Sequence, residues 1–157
     1  MIPSSNKHSA AILTAAQQQR LWVVCESGDR WITATRRFVT EVIPEDLVAS
    51  IVATKANQAL ALLVGQQKTQ QRSIVIWEIN PSTIAAHLDH VARTTIAAPS
   101  ALQLAVMDSA ASQAISSTAA AALTEMGVTT LINHVEQLPA LAPLVRRYLG
   151  RRYRVRR

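Results

Sequence analysis

Five times along this chain a short apolar run gives way to a segment whose apolar residues recur at helical spacing. No other feature constrains the fold as strongly. Parallel strands need a crossover of a dozen or more residues, and a right-handed helix supplies it. The first run is residues 21–26, LWVVCE, followed by Gly28. Asp29 then stands as an N-cap, and Trp31, Thr35, Phe38 and Val42 share one helical face. Pro44 stops that helix. Residues 48–53, VASIVA, give a second strand, and residues 56–64 a second helix closed by Gly65.

The third run, residues 73–79 (SIVIWEI), has an unbroken apolar core, as expected of a central strand covered on both faces. Asn80-Pro81 starts the next helix: asparagine caps it, and proline at the first helical position loses no needed N–H. That helix runs to about Arg93. Residues 102–107, LQLAVM, form a fourth strand. Asp108 or Ser109 caps an Ala- and Ser-rich helix that ends at Gly127. Residues 129–133, TTLIN, give a fifth strand, and a last helix starting near Pro143 carries Leu141, Leu144, Val145, Tyr148 and Leu149.

Five such units predict a three-layer α/β/α fold around a five-stranded parallel sheet. The flavodoxin-like strand order 2-1-3-4-5 fits the count. In such sheets ligands bind beyond the carboxyl ends of the strands, at the switch point between strands 1 and 3. Cys25, Glu26, Ser27, Glu78, Asn80, Asp108, Ser109, Asn133 and His134 are expected there.

A chain of 157 residues with 49% apolar content suits one domain with a sizeable core. The expected division is a polar leader over 1–19, the domain over 20–149 and a basic tail over 150–157. A single cysteine, Cys25, excludes an internal disulfide and fits a reducing, cytoplasmic setting. No apolar run approaches the ~20 residues of a transmembrane helix. The net charge of +6 is local. Arg146, Arg147, Arg151, Arg152, Arg154, Arg156 and Arg157 supply seven of the 16 basic residues, leaving nine against all ten acids elsewhere.

From about Arg20 to Leu149 the pattern resembles the receiver domains of response regulators. "IVATKANQALALL" is similar to the family's second strand and helix, and "SIVIWEINP" to the strand that carries the phosphate-accepting aspartate. "LAVMDSAA" resembles the fourth strand with its terminal hydroxyl residue, and "MGVTTLINH" the fifth strand with its Lys-Pro pair. The resemblance implies a degenerate site. Glu26 matches only half of the metal-binding acidic pair, and Glu78 stands where the acceptor aspartate belongs. Ser109, with Asp108 beside it, takes the hydroxyl position, and Asn133 replaces the lysine. A misplacement of ~1 Å can cost ~100-fold in rate, so the longer glutamate is a poor acceptor.

The expectation is therefore a pseudo-receiver: a non-catalytic regulatory or interaction module, without cofactor or resident metal, acting through a protein partner or a homodimer. The resemblance places its partner surface on the fourth helix, at Ile115, Ala119, Ala122 and Leu123. The bland alternative is that alanine is simply a good helix former and half of that face packs on the sheet. Two other functions stay open. The Arg tail, with Tyr148 and Tyr153, suits phosphate neutralisation on nucleic acid or attraction to anionic lipid. Glu26, Glu78 and Asp108 could instead hold a divalent cation for a small metal-dependent enzyme, although carboxylates at strand ends more often cap helices or face water. His87 and His90 lack a third ligand and read as an exposed helix face. Cys25 is either a nucleophile near His134 or, as free cysteines more often are, a small core residue. No Gly-rich phosphate loop, dinucleotide fingerprint or paired-Cys metal motif is present.

Overall fold

The computed structural model describes residues 20–42, 49–69, 71–107 and 115–150. Its elements run β1 (Arg20–Cys25), α1 (Arg30–Val42), β2 (Ala49–Thr54), α2 (Ala56–Lys68), β3 (Ser73–Glu78), α3 (Ile84–Ala97), β4 (Leu102–Val106), α4 (Ser117–Met126), β5 (Thr130–Ile132) and α5 (Ala142–Gly150). Short 3-10 turns at Pro81–Thr83 and Val135–Leu141 lead into α3 and α5. All strand pairs are parallel, and the order is β2-β1-β3-β4-β5. This is the flavodoxin-like order expected from the alternation. No helix among the described residues is long and apolar enough to cross a membrane.

Period-two alternation divides each central strand between two cores. Trp22, Val24, Ile74, Ile76, Leu104 and Val106 face α1 and α5, where they meet Trp31, Phe38, Val145 and Leu149. Leu21, Val23, Cys25, Val75, Trp77 and Ala105 face the other way, against Ala59 and Leu63 of α2, Val91 of α3 and Leu123 of α4. Both layers are closed, so β1 is buried along its whole length, and β3 is buried up to Ile79 apart from a half-buried Glu78. All three tryptophans are core residues.

One buried amide links the second core. Gln103 is 2% exposed and accepts from Trp77 Nε1 at 3.0 Å. Its Nε2 donates to Thr95 Oγ1 at 2.8 Å, and that hydroxyl donates to the Met126 carbonyl at 2.6 Å. The network ties β3, β4, α3 and the end of α4 together with both Gln103 side-chain atoms satisfied. Gly127 ends α4 at φ +127°, a conformation L side chains rarely adopt.

Three sequence-based boundaries move. Gly65 lies inside α2, which continues to Lys68 and is closed at Thr69. A glycine with ordinary helical φ lowers helix propensity without stopping a helix packed on a sheet. The third helix extends to Ala97. The fourth does not run unbroken from Asp108: α4 begins at Ser117 with its own cap, the Ser116 hydroxyl accepting from Ala119 N–H at 3.1 Å. Pro44, Asp108, Ser109 and the tail from Arg151 lie outside the described residues.

Gly127→Ala should destabilise the domain by more than ~1 kcal/mol, because its Cβ would meet Thr95 Oγ1 at a positive φ. Urea unfolding of the two proteins would measure the loss.

Candidate functional site

The carboxyl ends of the strands gather at one edge, and a cleft of about 490 Å³ opens there. Cys25, Glu26 and Ser27 reach it from β1, Lys55 and Ala56 from the β2–α2 junction, and Trp77, Glu78 and Asn80 from β3. Thr83 and His87 close it from the start of α3. The switch point thus brings Glu26 and Glu78 together, as expected. Asn133 is not among the lining residues. It sits at the end of β5, where its backbone N–H donates to Gln137 Oε1 at 2.8 Å.

Neither acid is idle. Both Glu26 oxygens accept from the first turn of α1: Trp31 N–H at 2.8 Å and Ile32 N–H at 2.7 Å. Helix N-termini leave four N–H groups unsatisfied and carry partial positive charge, so a carboxylate there gains from both effects. Glu78 reaches across to the β1–α1 loop. Its Oε1 accepts from the Ser27 hydroxyl at 3.0 Å, and Oε2 lies 3.4 Å from the Ser27 N–H. The extra methylene of glutamate spans the gap between the two strand ends. Among the described residues no three His, Cys, Asp or Glu side chains gather in a way that could hold a metal ion.

Asn80 starts the next turn as predicted, its Oδ1 accepting from Ser82 N–H at 3.0 Å. Its own N–H donates to His87 Nε2 at 3.2 Å, and Thr83 Oγ1 lies 3.2 Å from the same nitrogen. His87 is therefore no exposed ornament of α3, which corrects the sequence reading. Accepting at Nε2 places the proton of the neutral ring on Nδ1, which is buried without a partner. Burial lowers the His87 pKa, nearby His90 lowers it further, and Glu78 opposes both. His90 stacks on Trp77 with centroids 6.2 Å apart and an 11° interplanar angle, and Asp89 pairs with Arg93 at 2.9 Å. The two histidines have different employment and do not converge.

Cys25 is 5% exposed, and burial pushes its thiol up to about 12. Burial thus disfavours the thiolate, which counts against the nucleophile reading. His134 lies three strand spacings away across the sheet, ~14 Å. On α4, Leu123 is fully buried and so cannot belong to an exposed partner surface, while Ile115, just before the helix, is half-buried against the second core. Ala119 and Ala122 are half-buried. Arg146 and Arg147 are exposed on α5.

The sequence reading missed Lys55 and Thr83 as cleft residues. Lys55 directly follows the β2 strand end, so the rule that pointed to the ends of β1 and β3 pointed to it as well. Thr83 and His87 follow from Asn80 only when the 3-10 turn brings the chain back over the cleft.

Sheet order, helix placement and strand-end cleft define a receiver-like, that is CheY-like, α/β domain. No family model matches the chain, and no curated protein matches it. Among solved structures it is similar to a CheY-like protein, TadZ, from Pseudomonas aeruginosa PAO1. The TM-score is 0.61 at 14% identity, over 82% of this chain and 98% of that one. It is also similar to the Salmonella typhimurium response regulator RcsB, a structure described for conformational dynamism in DNA interaction. That TM-score is 0.51 at 10% identity, over 90% of this chain and 64% of the RcsB chain, so less than two thirds of RcsB is spanned. At these identities the likeness is one of fold.

Two outcomes are expected. Glu26→Ala should cost ~1–2 kcal/mol in denaturant unfolding by orphaning two N–H groups of α1. The lowered His87 pKa means that the unfolded chain binds the proton more readily than the folded one. Its contribution to stability is therefore full above the ordinary histidine pKa of ~6.5 and is lost as pH falls below it. His87→Gln, which keeps an acceptor for Asn80 N–H, should flatten the stability–pH curve below the ordinary histidine pKa of ~6.5.

Proposed function

We propose that this chain is a regulatory module of receiver-like fold that works through contact with another protein and not through phosphoryl transfer. The observation that carries this reading is the engagement of both strand-end carboxylates. Glu26 is taken up by the first turn of α1, and Glu78 holds Ser27. A phosphoryl switch of this fold needs free carboxylates to hold a metal and accept the group. Here the same positions cross-link β1, β3 and α1, so the edge that such a switch rearranges is fastened. Asn133 at the lysine position offers no cation to a phosphoryl group. Lys55 approaches from β2, on the opposite side of the cleft.

The partner surface in this reading is the outer face of α4 with α5, where Ala119 and Ala122 remain partly accessible and Arg146 and Arg147 are exposed. Small side chains there allow close approach of a second helix, from another protein or a second copy of this chain. A metal-dependent enzyme is disfavoured, because it would have to release Glu26 from α1 before the carboxylate could bind a cation.

Thermal unfolding with Mg²⁺ and beryllofluoride, beside a Glu78→Asp variant, tests the proposal. A ligand at ~100 times its Kd adds ~2.7 kcal/mol, worth roughly 5–10 °C in a domain of this size. No shift is expected in the parent protein. A shift of several degrees in the parent would sink the reading, since it would mean that the carboxylates are available after all.

A further inference from the structure

The helices on the two faces of the sheet differ sharply in charge. On one face, α1 alone carries four charged side chains, Arg30, Arg36, Arg37 and Glu41, in 13 residues. On the other face α2, α3 and α4 together carry only four: Lys68, Asp89, Arg93 and Glu125. Lys68 and Glu125 stand in the last turns of their helices, and Lys55, just before α2, lines the cleft instead. Asp89 and Arg93 are therefore the charges in the middle of this layer. Leu62, Ile96 and Met126, the exposed large hydrophobics among the described residues, all belong to the same three helices. Loss of charge together with uncovered apolar side chains is the composition of an interface centre and not of a solvated face.

α3 is the middle helix of the layer, packed between α2 and α4. Leu88, Val91 and Thr94 turn inward on it. At ~100° per residue, Ala85, Ala86, Asp89, Arg93, Ile96 and Ala97 fall on the opposite side. All six are exposed, Ile96 by 82%. Asp89 and Arg93 sit on the crest of this ridge, where Arg93 Nε meets Asp89 Oδ2 at 2.9 Å. That bond uses one of three guanidinium nitrogens and one of two carboxylate oxygens. Both side chains stay more than half exposed, at 66% for Arg93 and 55% for Asp89.

We infer that α3 pairs antiparallel with α3 of a second copy of this chain, about a two-fold axis at the level of Val91. The order of residues along the ridge is what selects a second copy. Such an axis reverses the helix direction and keeps each flank of the ridge on its own side. Asp89 then faces Arg93 of the second copy, and Arg93 faces Asp89 of the second copy. Ile96 falls over Ala85 of the second copy, and Ala86 over Ala97. Opposite charges meet, the large side chain meets a small one, and each contact is made twice, as an isologous interface requires. A parallel pair, or an axis at Asp89 or Arg93, would set like charges against each other. The alanines allow the 8–10 Å axial separation of close helix packing. The ridge of a 14-residue helix is ~20 Å long and ~10 Å wide, well short of the ~800 Å² per partner of a standard interface, so the pair is weak and concentration-dependent. It is separate from the strand-end cleft and from the α4–α5 face, and does not depend on how either is used.

Analytical ultracentrifugation of the full chain from about 10 to 500 μM tests the pairing. A reversible monomer–dimer equilibrium is expected. Asp89→Arg and Arg93→Asp should each weaken it about tenfold or more, since either change opposes like charges at both contacts. An equimolar mixture of these two variants should dimerise again, because opposite charges then meet at both contacts. Ile96→Ser should lose about tenfold while its circular dichroism matches the parent. A parent protein that stays monomeric throughout would overturn the inference. Undiminished association of Asp89→Arg would do the same by placing the contact on another face, and so would a mixture that fails to associate.

Discussion

Two strands buried on both faces govern the rest of this molecule. The backbones of β1 and β3 have no water on either side, so every N–H and C=O must be met by a neighbouring strand. The parallel ladder does this, with Trp22 paired to Ile51 on one side and Ile74 on the other. Once strands lie parallel, all their carboxyl ends leave the sheet at one edge and all helix N-termini begin there. Carboxylates and unsatisfied N–H groups are then neighbours by construction.

That adjacency explains the chemistry of the cleft. Glu26 finds two N–H donors of α1 within hydrogen-bonding reach, and charge-assisted bonds of this kind are roughly twice as strong as neutral ones. Glu78 has the length to cross to Ser27. The same fold in which free carboxylates could serve a metal here uses them as fastenings. At the opposite edge the roles are reversed. Helix C-termini favour cations, and there the Arg72 guanidinium lies over the ring of Tyr148 in the last turn of α5, 4.8 Å from its centroid. The two edges of one sheet thus acquire different chemistries from the same polarity rule.

Much of the fold was legible because burial writes itself into pattern. SIVIW announces a strand covered on both sides, and the Trp31–Thr35–Phe38–Val42 spacing announces a helix face, since one unbroken apolar run and one 3.6-residue period are what those burials require. The Ala-rich stretch before Gly127 was less legible. Alanine suits the inside and the outside of a helix alike, so neither the start at Ser117 nor the burial of Leu123 could be read from it. Gly65 misled for a related reason. Glycine marks a helix end only where φ turns positive, as at Gly127, and composition alone does not reveal φ.

The sequence by itself determined the five strands, their order of appearance and the placing of Glu26 and Glu78 at strand ends, because these follow from local periodicity and the polarity of a parallel sheet. Only the tertiary structure decided what those side chains do. Glu26 serves α1, Glu78 holds Ser27, His87 accepts from Asn80, and Tyr148 joins residues 73 and 100. Such bonds connect atoms as much as 75 positions apart in the chain. Their partners are chosen by packing to within a few tenths of an ångström, and no local pattern of residues carries that information.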